Sequence, residues 1–155
     1  MQLTAASHYA PLGLSGAVKS GLDLLGRFPM CLLELAFRVG VGAVFFKSGL
    51  VKIASWDQTV MLFRDEYRVP LLPPEIAAYM GAATELTAPV LIVLGLGARL
   101  GAAALLGMTF VIQVFVYPEN WAEHLTWAGL LGYVLTRGAG PISFDRFFAA
   151  RWLRD

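Results

Sequence analysis

Apolar residues fall along the chain in four long stretches, separated by short polar or proline- and glycine-rich breaks. A helix needs about 20 mostly apolar residues to cross a hydrocarbon core of about 30 Å. The stretches run from about Phe28 to Ile53, Glu75 to Leu96, Ala98 to Val116 and Trp121 to Thr136. The pattern therefore predicts four transmembrane helices, the last of them short and extended by Glu119 and Asn120. The breaks have mechanisms. Pro70, Pro73 and Pro74 cannot continue a helix and pre-set the start of the second span. Gly95 and Gly97 make a tight turn before Arg99, Tyr117-Pro118-Glu119-Asn120 makes another, and Gly138-Ala139-Gly140-Pro141 ends the last span.

The flanking segments read as interfacial. Between Leu12 and Arg27 apolar residues recur at helical spacing. The loop from Trp56 to Leu72 mixes Val60, Leu62, Phe63, Tyr67 and Val69 with Arg64, Asp65, Glu66 and Arg68. It predicts a short amphipathic helix across the outer mouth of the bundle. Lys19, Arg27, Arg99, Arg137, Arg146, Arg151 and Arg154 fall on one side, against Arg64, Arg68 and Lys52 on the other. The positive-inside rule then places both termini in the cytoplasm. The expected divisions are an N-terminal segment 1–27, a transmembrane domain 28–137 and a basic amphipathic tail 138–155. The leader lacks the basic region and apolar core of a cleaved signal peptide.

Composition agrees. The chain is 57% hydrophobic and 15% charged, whereas a soluble domain averages about 45–50% and about 25%. A net charge of +1 gives no basic surface for nucleic acid. One cysteine, Cys31, excludes an internal disulfide and a CxxC redox pair. Of the two histidines, His8 lies in the polar leader and His124 in the fourth span, so no bis-histidine haem is expected. No HxxxH spacing exists, and Glu123 and His124, as neighbours, diverge on a helix. No metal site is expected. Small residues at four-residue spacing, such as Gly97 and Gly101 or Ala103 and Gly107, read as helix-packing positions.

Ionisable groups inside a bilayer cost about 2.5–3.5 kcal/mol each at the centre on translocon scales. Glu34 and Arg38 are four apart and share a face, and Glu85 lies near the middle of the second span. The expectation is that Arg38 and Glu85 meet at one depth, with Glu34 as a third member. This buried polar cluster is either a ligand site or interhelical glue. A second, outer polar site gathers Gln113, Trp121 and His124, at a level suited to a quinone-like ring, with Lys47 near the same end. Lys47 also reads as a side chain that snorkels to the head groups.

Several runs resemble the DoxX family of small bacterial membrane proteins. They are Phe46-Lys47-Ser48-Gly49-Leu50-Val51-Lys52 with Arg38, Glu85 with Pro89 and Gly95, Ala98-Arg99-Leu100-Gly101-Ala102-Ala103, Tyr117 to Ala128, and Gly138 to Asp145. The resemblance spans about Leu32 to Leu153. It implies an all-α integral membrane four-helix bundle in the bacterial inner membrane. The family is named for a small membrane subunit of a thiosulfate:quinone oxidoreductase, and other members are linked to oxidative or thiol stress or to metal-responsive peptides. Enzyme status does not carry over. The first functional reading is a redox- or stress-linked membrane subunit that binds a quinone, a lipid or a similar amphipathic molecule, with no covalent cofactor. The second is a scaffold, assembly or transport factor, in contact with lipids and with a protein partner or a second copy, whose intramembrane charges are structural. A proton-coupled transporter fits the buried carboxylates, but four short spans leave little room for alternating access without dimerisation.

Overall fold

In a computed structural model the described residues, 14–152, form helices joined by short turns, with no strand among them. His8, the rest of the leader and Arg154 lie outside the described residues, as does the Arg151 side chain. Seven α-helices follow one another: α1 (Leu14–Gly26), α2 (Met30–Ala54), α3 (Trp56–Leu62), α4 (Pro74–Leu94), α5 (Ala98–Val111), α6 (Trp121–Arg137) and α7 (Phe144–Trp152). The chain divides into two compact units, 1–30 and 31–155. In the first, α1 exposes Val18, Leu22, Leu24 and Leu25.

In the second unit α2, α4, α5 and α6 feed one core. Val41 and Phe45, Ala88 and Ile92, Ala102 and Leu105, and Leu131 and Val134 are all buried in it. Outward-facing apolar side chains are abundant, among them Val44, Phe46, Leu50, Val51, Val90, Leu100, Phe110 and Leu125. So large an exposed apolar surface needs a lipid solvent.

Among the described residues two helices are long and apolar enough to cross a membrane, Pro74–Leu94 and Ala98–Val116; a third candidate arises only if Gly16–Gly26 and Met30–Ala54 count as one broken span. The expected four are therefore not all present by length and composition. Helix α2 has the length, 25 residues, but carries Glu34, Arg38, Lys47 and Lys52. Helix α6, with 17 residues, is only about 26 Å long at 1.5 Å per residue. Pro29 also moves the start of α2 from Phe28 to Met30.

Helix α4 starts as expected, with Pro73 at its cap and Pro74 in its first turn. It ends at Gly95, whose φ of +68° costs a glycine nothing. Gly97, also left-handed, stands at the N-cap of α5 and has no side chain to cap with. Asp145 supplies the cap from 48 residues away: Gly97 N donates to its Oδ1 at 2.8 Å, and Asp145 N donates to Gly95 O at 2.9 Å. Asp145→Ala should therefore destabilise the protein by about 1 kcal/mol, with Asn retaining most of the stability. Equilibrium unfolding in mixed micelles measures this.

Helices α3 and α5 each run on into a π-helical turn, Phe63–Tyr67 and Ile112–Val116. The expected amphipathic segment is thus helical. Its Phe63 is buried with Ala77 and Ala78 of α4, and Trp56, Val60, Tyr67 and Val69 pack around them. Thr59 Oγ1 donates to Lys52 O at 3.0 Å and ties α3 to the end of α2.

Candidate functional site

Helices α2 and α4 run antiparallel, and their register decides where each charge goes. A Cβ on Gly42 would lie 2.8 Å from Val93 Cγ2, and one on Gly49 would lie 2.9 Å from Leu86 Cδ2 and 3.0 Å from Glu85 Cβ. A side chain at either position would have to displace Val93 or Leu86. This register sets Glu85 opposite Ser48 and Lys52, and Arg38 opposite Ile92 and Val93.

The expected Arg38–Glu85 contact therefore does not form. Arg38 and Lys52 are 14 residues apart, about 21 Å along α2, and the two polar groups occupy opposite ends of it. Arg38 is 1% exposed. Its Nη1 donates to Ile92 O at 3.3 Å and Val93 O at 3.1 Å, and its Nη2 donates to Ile142 O at 2.5 Å. It thereby caps the Val93 carbonyl, adds a second donor to Ile92 O, which already accepts from Gly95 N at 3.2 Å, and holds the 138–145 segment against the end of α4. Glu34 accepts a hydrogen bond from Tyr133 Oη at 2.9 Å. Although they share a face, Glu34 and Arg38 form no ion pair; the described residues hold two, Lys52–Glu85 and Arg64–Glu75. Neither Glu34 nor Arg38 borders the large cavity described next.

Glu85, 3% exposed, belongs to a different cluster. Lys52 Nζ lies 2.8 Å from its Oε1 and 2.7 Å from its Oε2. Ser48 Oγ donates to Oε1 at 3.1 Å and accepts from Lys52 Nζ at 2.9 Å. These three residues border a cavity of about 550 Å³. Its walls are mainly apolar or aromatic: Phe63, Tyr67, Val69 and Leu72 from the α3 segment, Met80 and Gly81 from α4, Ala104, Gly107, Met108 and Val111 from α5, and Trp127 from α6.

His124 completes the wall and is 3% exposed. Its Nδ1 lies 2.7 Å from Gln113 Oε1, and Gln113 Nε2 donates to Pro118 O at 2.8 Å. The π-helical turn after α5 carries Gln113 into this position. The His124 and Trp127 rings are 5.1 Å apart, and Trp127 meets the core residue Phe45 edge-on at 5.1 Å.

Of the residues expected in the outer polar site, His124 and Gln113 come together. Trp121 does not join them: it is 62% exposed, because it stands at the first turn of α6 on the outward face. Lys47 is exposed on the far face of α2 and borders no part of the cavity. Sequence reasoning missed Ser48 and Lys52 as partners of Glu85, although their four-residue spacing was visible, and it missed Tyr67, which pairs with Tyr117.

Those two tyrosines close one side of the cavity, with rings 5.7 Å apart and edge-on. Tyr117 Oη donates to Glu66 Oε1 at 2.7 Å. This bond, and burial after it, holds the Tyr117 phenol protonated well above the usual tyrosine range; burial foremost raises Tyr67. A raised folded-state value contributes stability that is complete below the unfolded tyrosine value of about 10 and is lost as pH rises above it. Melting temperature should therefore fall between pH 9.5 and 11.5, and Tyr117→Phe should flatten that fall.

The fold and the cavity define a small all-helical integral membrane protein with a polar-tipped apolar chamber. The chain belongs to the DoxX family, whose sequence model, described as DoxX, matches residues 33–118. The match covers α2 through α5 and stops at Pro118, so the resemblance read in α6 and the tail lies beyond it. No curated protein and no solved structure matches the chain.

Proposed function

We propose that this DoxX protein is a redox- or stress-linked subunit of the bacterial inner membrane. It binds a quinone or a similar amphipathic small molecule in the cavity between α2, α4, α5, α6 and the α3 segment. The helices α2, α4, α5 and α6 are its four-helix bundle, with both termini cytoplasmic. The observation that carries this reading is the cavity itself. Small-molecule sites are clefts of about 300–1,000 Å³ with mostly apolar walls and a few placed polar groups, and this one has about 550 Å³ with Lys52, Glu85 and His124 among the polar residues of its wall. A substituted ring fits among Phe63, Tyr67 and Trp127, and its tail fits along Met80, Met108 and Val111.

A second reading, a scaffold with structural charges, draws support from the Arg38 end. There Arg38 donates to three carbonyls of its own chain and Glu34 accepts from Tyr133. That end is proposed as structural, and the Lys52–His124 end as the ligand site.

Titration calorimetry of a decyl-substituted 1,4-benzoquinone against the detergent-purified protein tests the reading. Gly107 borders the cavity, and a Cβ there meets nothing within 4 Å. Gly107→Phe should therefore fill the chamber without disturbing the fold. One saturable site in the parent, weakened at least tenfold in Gly107→Phe, is expected; binding unaffected by the filled chamber would move the site elsewhere.

A further inference from the structure

The hydrogen-bond chain behind His124 fixes which protons the cavity offers. Pro118 O accepts and cannot donate, so the Gln113 side-chain nitrogen must face it, at 2.8 Å. The amide oxygen is thereby turned to His124 Nδ1, at 2.7 Å. An amide oxygen also only accepts, so Nδ1 carries the hydrogen. In the neutral imidazole the other nitrogen, Nε2, is then a bare acceptor. It has no hydrogen-bond partner among the described residues, and His124 borders the cavity while almost wholly buried.

The polar group across the cavity differs. Lys52 Nζ has three protons and three close oxygens, Ser48 Oγ and both oxygens of Glu85. That cluster is charge-paired within itself, and its one oxygen without a hydrogen bond, Glu85 Oε2, is buried away from the cavity. His124 Nε2 is left as an acceptor awaiting a donor in a chamber whose mainly apolar wall also carries Thr84, Asn120 and Glu123.

We infer that the cavity selects a ring bearing a hydroxyl that donates to His124 Nε2, a phenol or hydroquinone, over the corresponding quinone, whose carbonyls only accept. The inference rests on the proposed ligand site and adds its preferred ligand state. Bound quinone would set a carbonyl oxygen against the imidazole lone pair, while hydroquinone supplies the missing donor. Gln113 is a positioning residue here: it acts through the tautomer of His124.

The test is anaerobic titration calorimetry at pH 8, where imidazole is ordinarily neutral. The decyl-substituted 1,4-benzoquinone and its hydroquinone are each titrated into the parent, Gln113→Leu and His124→Phe. In the parent the hydroquinone should bind about tenfold more tightly, the scale of one hydrogen bond against an unmet acceptor. In Gln113→Leu the imidazole is free to turn Nε2–H toward a carbonyl, and the ratio should fall to within about twofold. In His124→Phe the acceptor is gone and the ratio should fall likewise. Equal or reversed affinities in the parent, or a preference unchanged in both variants, would overturn the inference while leaving the cavity a quinone site. Failure of both ligands to bind the parent would overturn the inference and the proposed function together.

Discussion

Glu85→Ala should lower the stability of the detergent-solubilised protein by about 3–5 kcal/mol, the range for removing one partner of a buried ion pair. Little water reaches the pair: the side chains of Lys52 and Glu85 are 12% and 5% exposed. With Glu85 gone, Lys52 keeps only Ser48 Oγ, and a buried ammonium is left without a countercharge. The opposite change is milder. A double replacement, Lys52→Met with Glu85→Leu, removes both charges and fills much the same volume, and such swaps are often neutral or stabilising. The double variant should therefore recover most of the lost stability, and unfolding in mixed micelles across the four-member cycle measures the coupling. Equal instability of the single and double variants would mean that packing around Gly49, not the ion pair, holds α2 against α4.

Arg38→Ala should cost at least about 4 kcal/mol, among the larger single-site effects. Charged hydrogen bonds contribute about 1.5–3 kcal/mol each, and unmet buried acceptors add a penalty. Arg38 serves three carbonyls, at Ile92, Val93 and Ile142, from a fully buried position. The site is also crowded, since a Cβ at Gly95 would lie 2.7 Å from Arg38 Nη1. Arg38→Lys should recover less than half, because one compact ammonium cannot span acceptors on two chain segments as a planar guanidinium does. The same unfolding assay decides this. Ligand affinity should be unchanged wherever the Arg38 variants remain folded, because Arg38 does not border the chamber.

Much of the helical plan is written locally. Pro73 and Pro74 start α4, Gly95 and Gly97 break it from α5, and long, mainly apolar runs mark those two helices as spans. The meeting of Gln113 and His124 was also legible, because a short turn returns the chain beside itself. The partners of the buried charges were not. Small residues at 42, 49, 78 and 82 would let α2 and α4 slide past each other, and no local feature names the register. Depth counted from Phe28 put Arg38 and Glu85 at one level. Helix α2 instead begins after Pro29, and Glu85 faces Gly49, so the charges separate to opposite ends. The π-helical turns depend on hydrogen-bond spacing that residue type does not reveal, and they carry Tyr67, Gln113 and Tyr117 to the cavity. The cap that Asp145 gives α5 comes from too far along the chain for any local pattern to show.

The most direct test of the account is organic extraction and mass spectrometry of the protein purified in mild detergent from its own membrane, beside Gly107→Phe. The account predicts one lipid-soluble molecule per chain in the parent, with a ring that carries hydroxyl or carbonyl groups, and its loss from a variant that melts at the parent temperature. No such molecule in the parent, or the same amount in the filled variant, would contradict it.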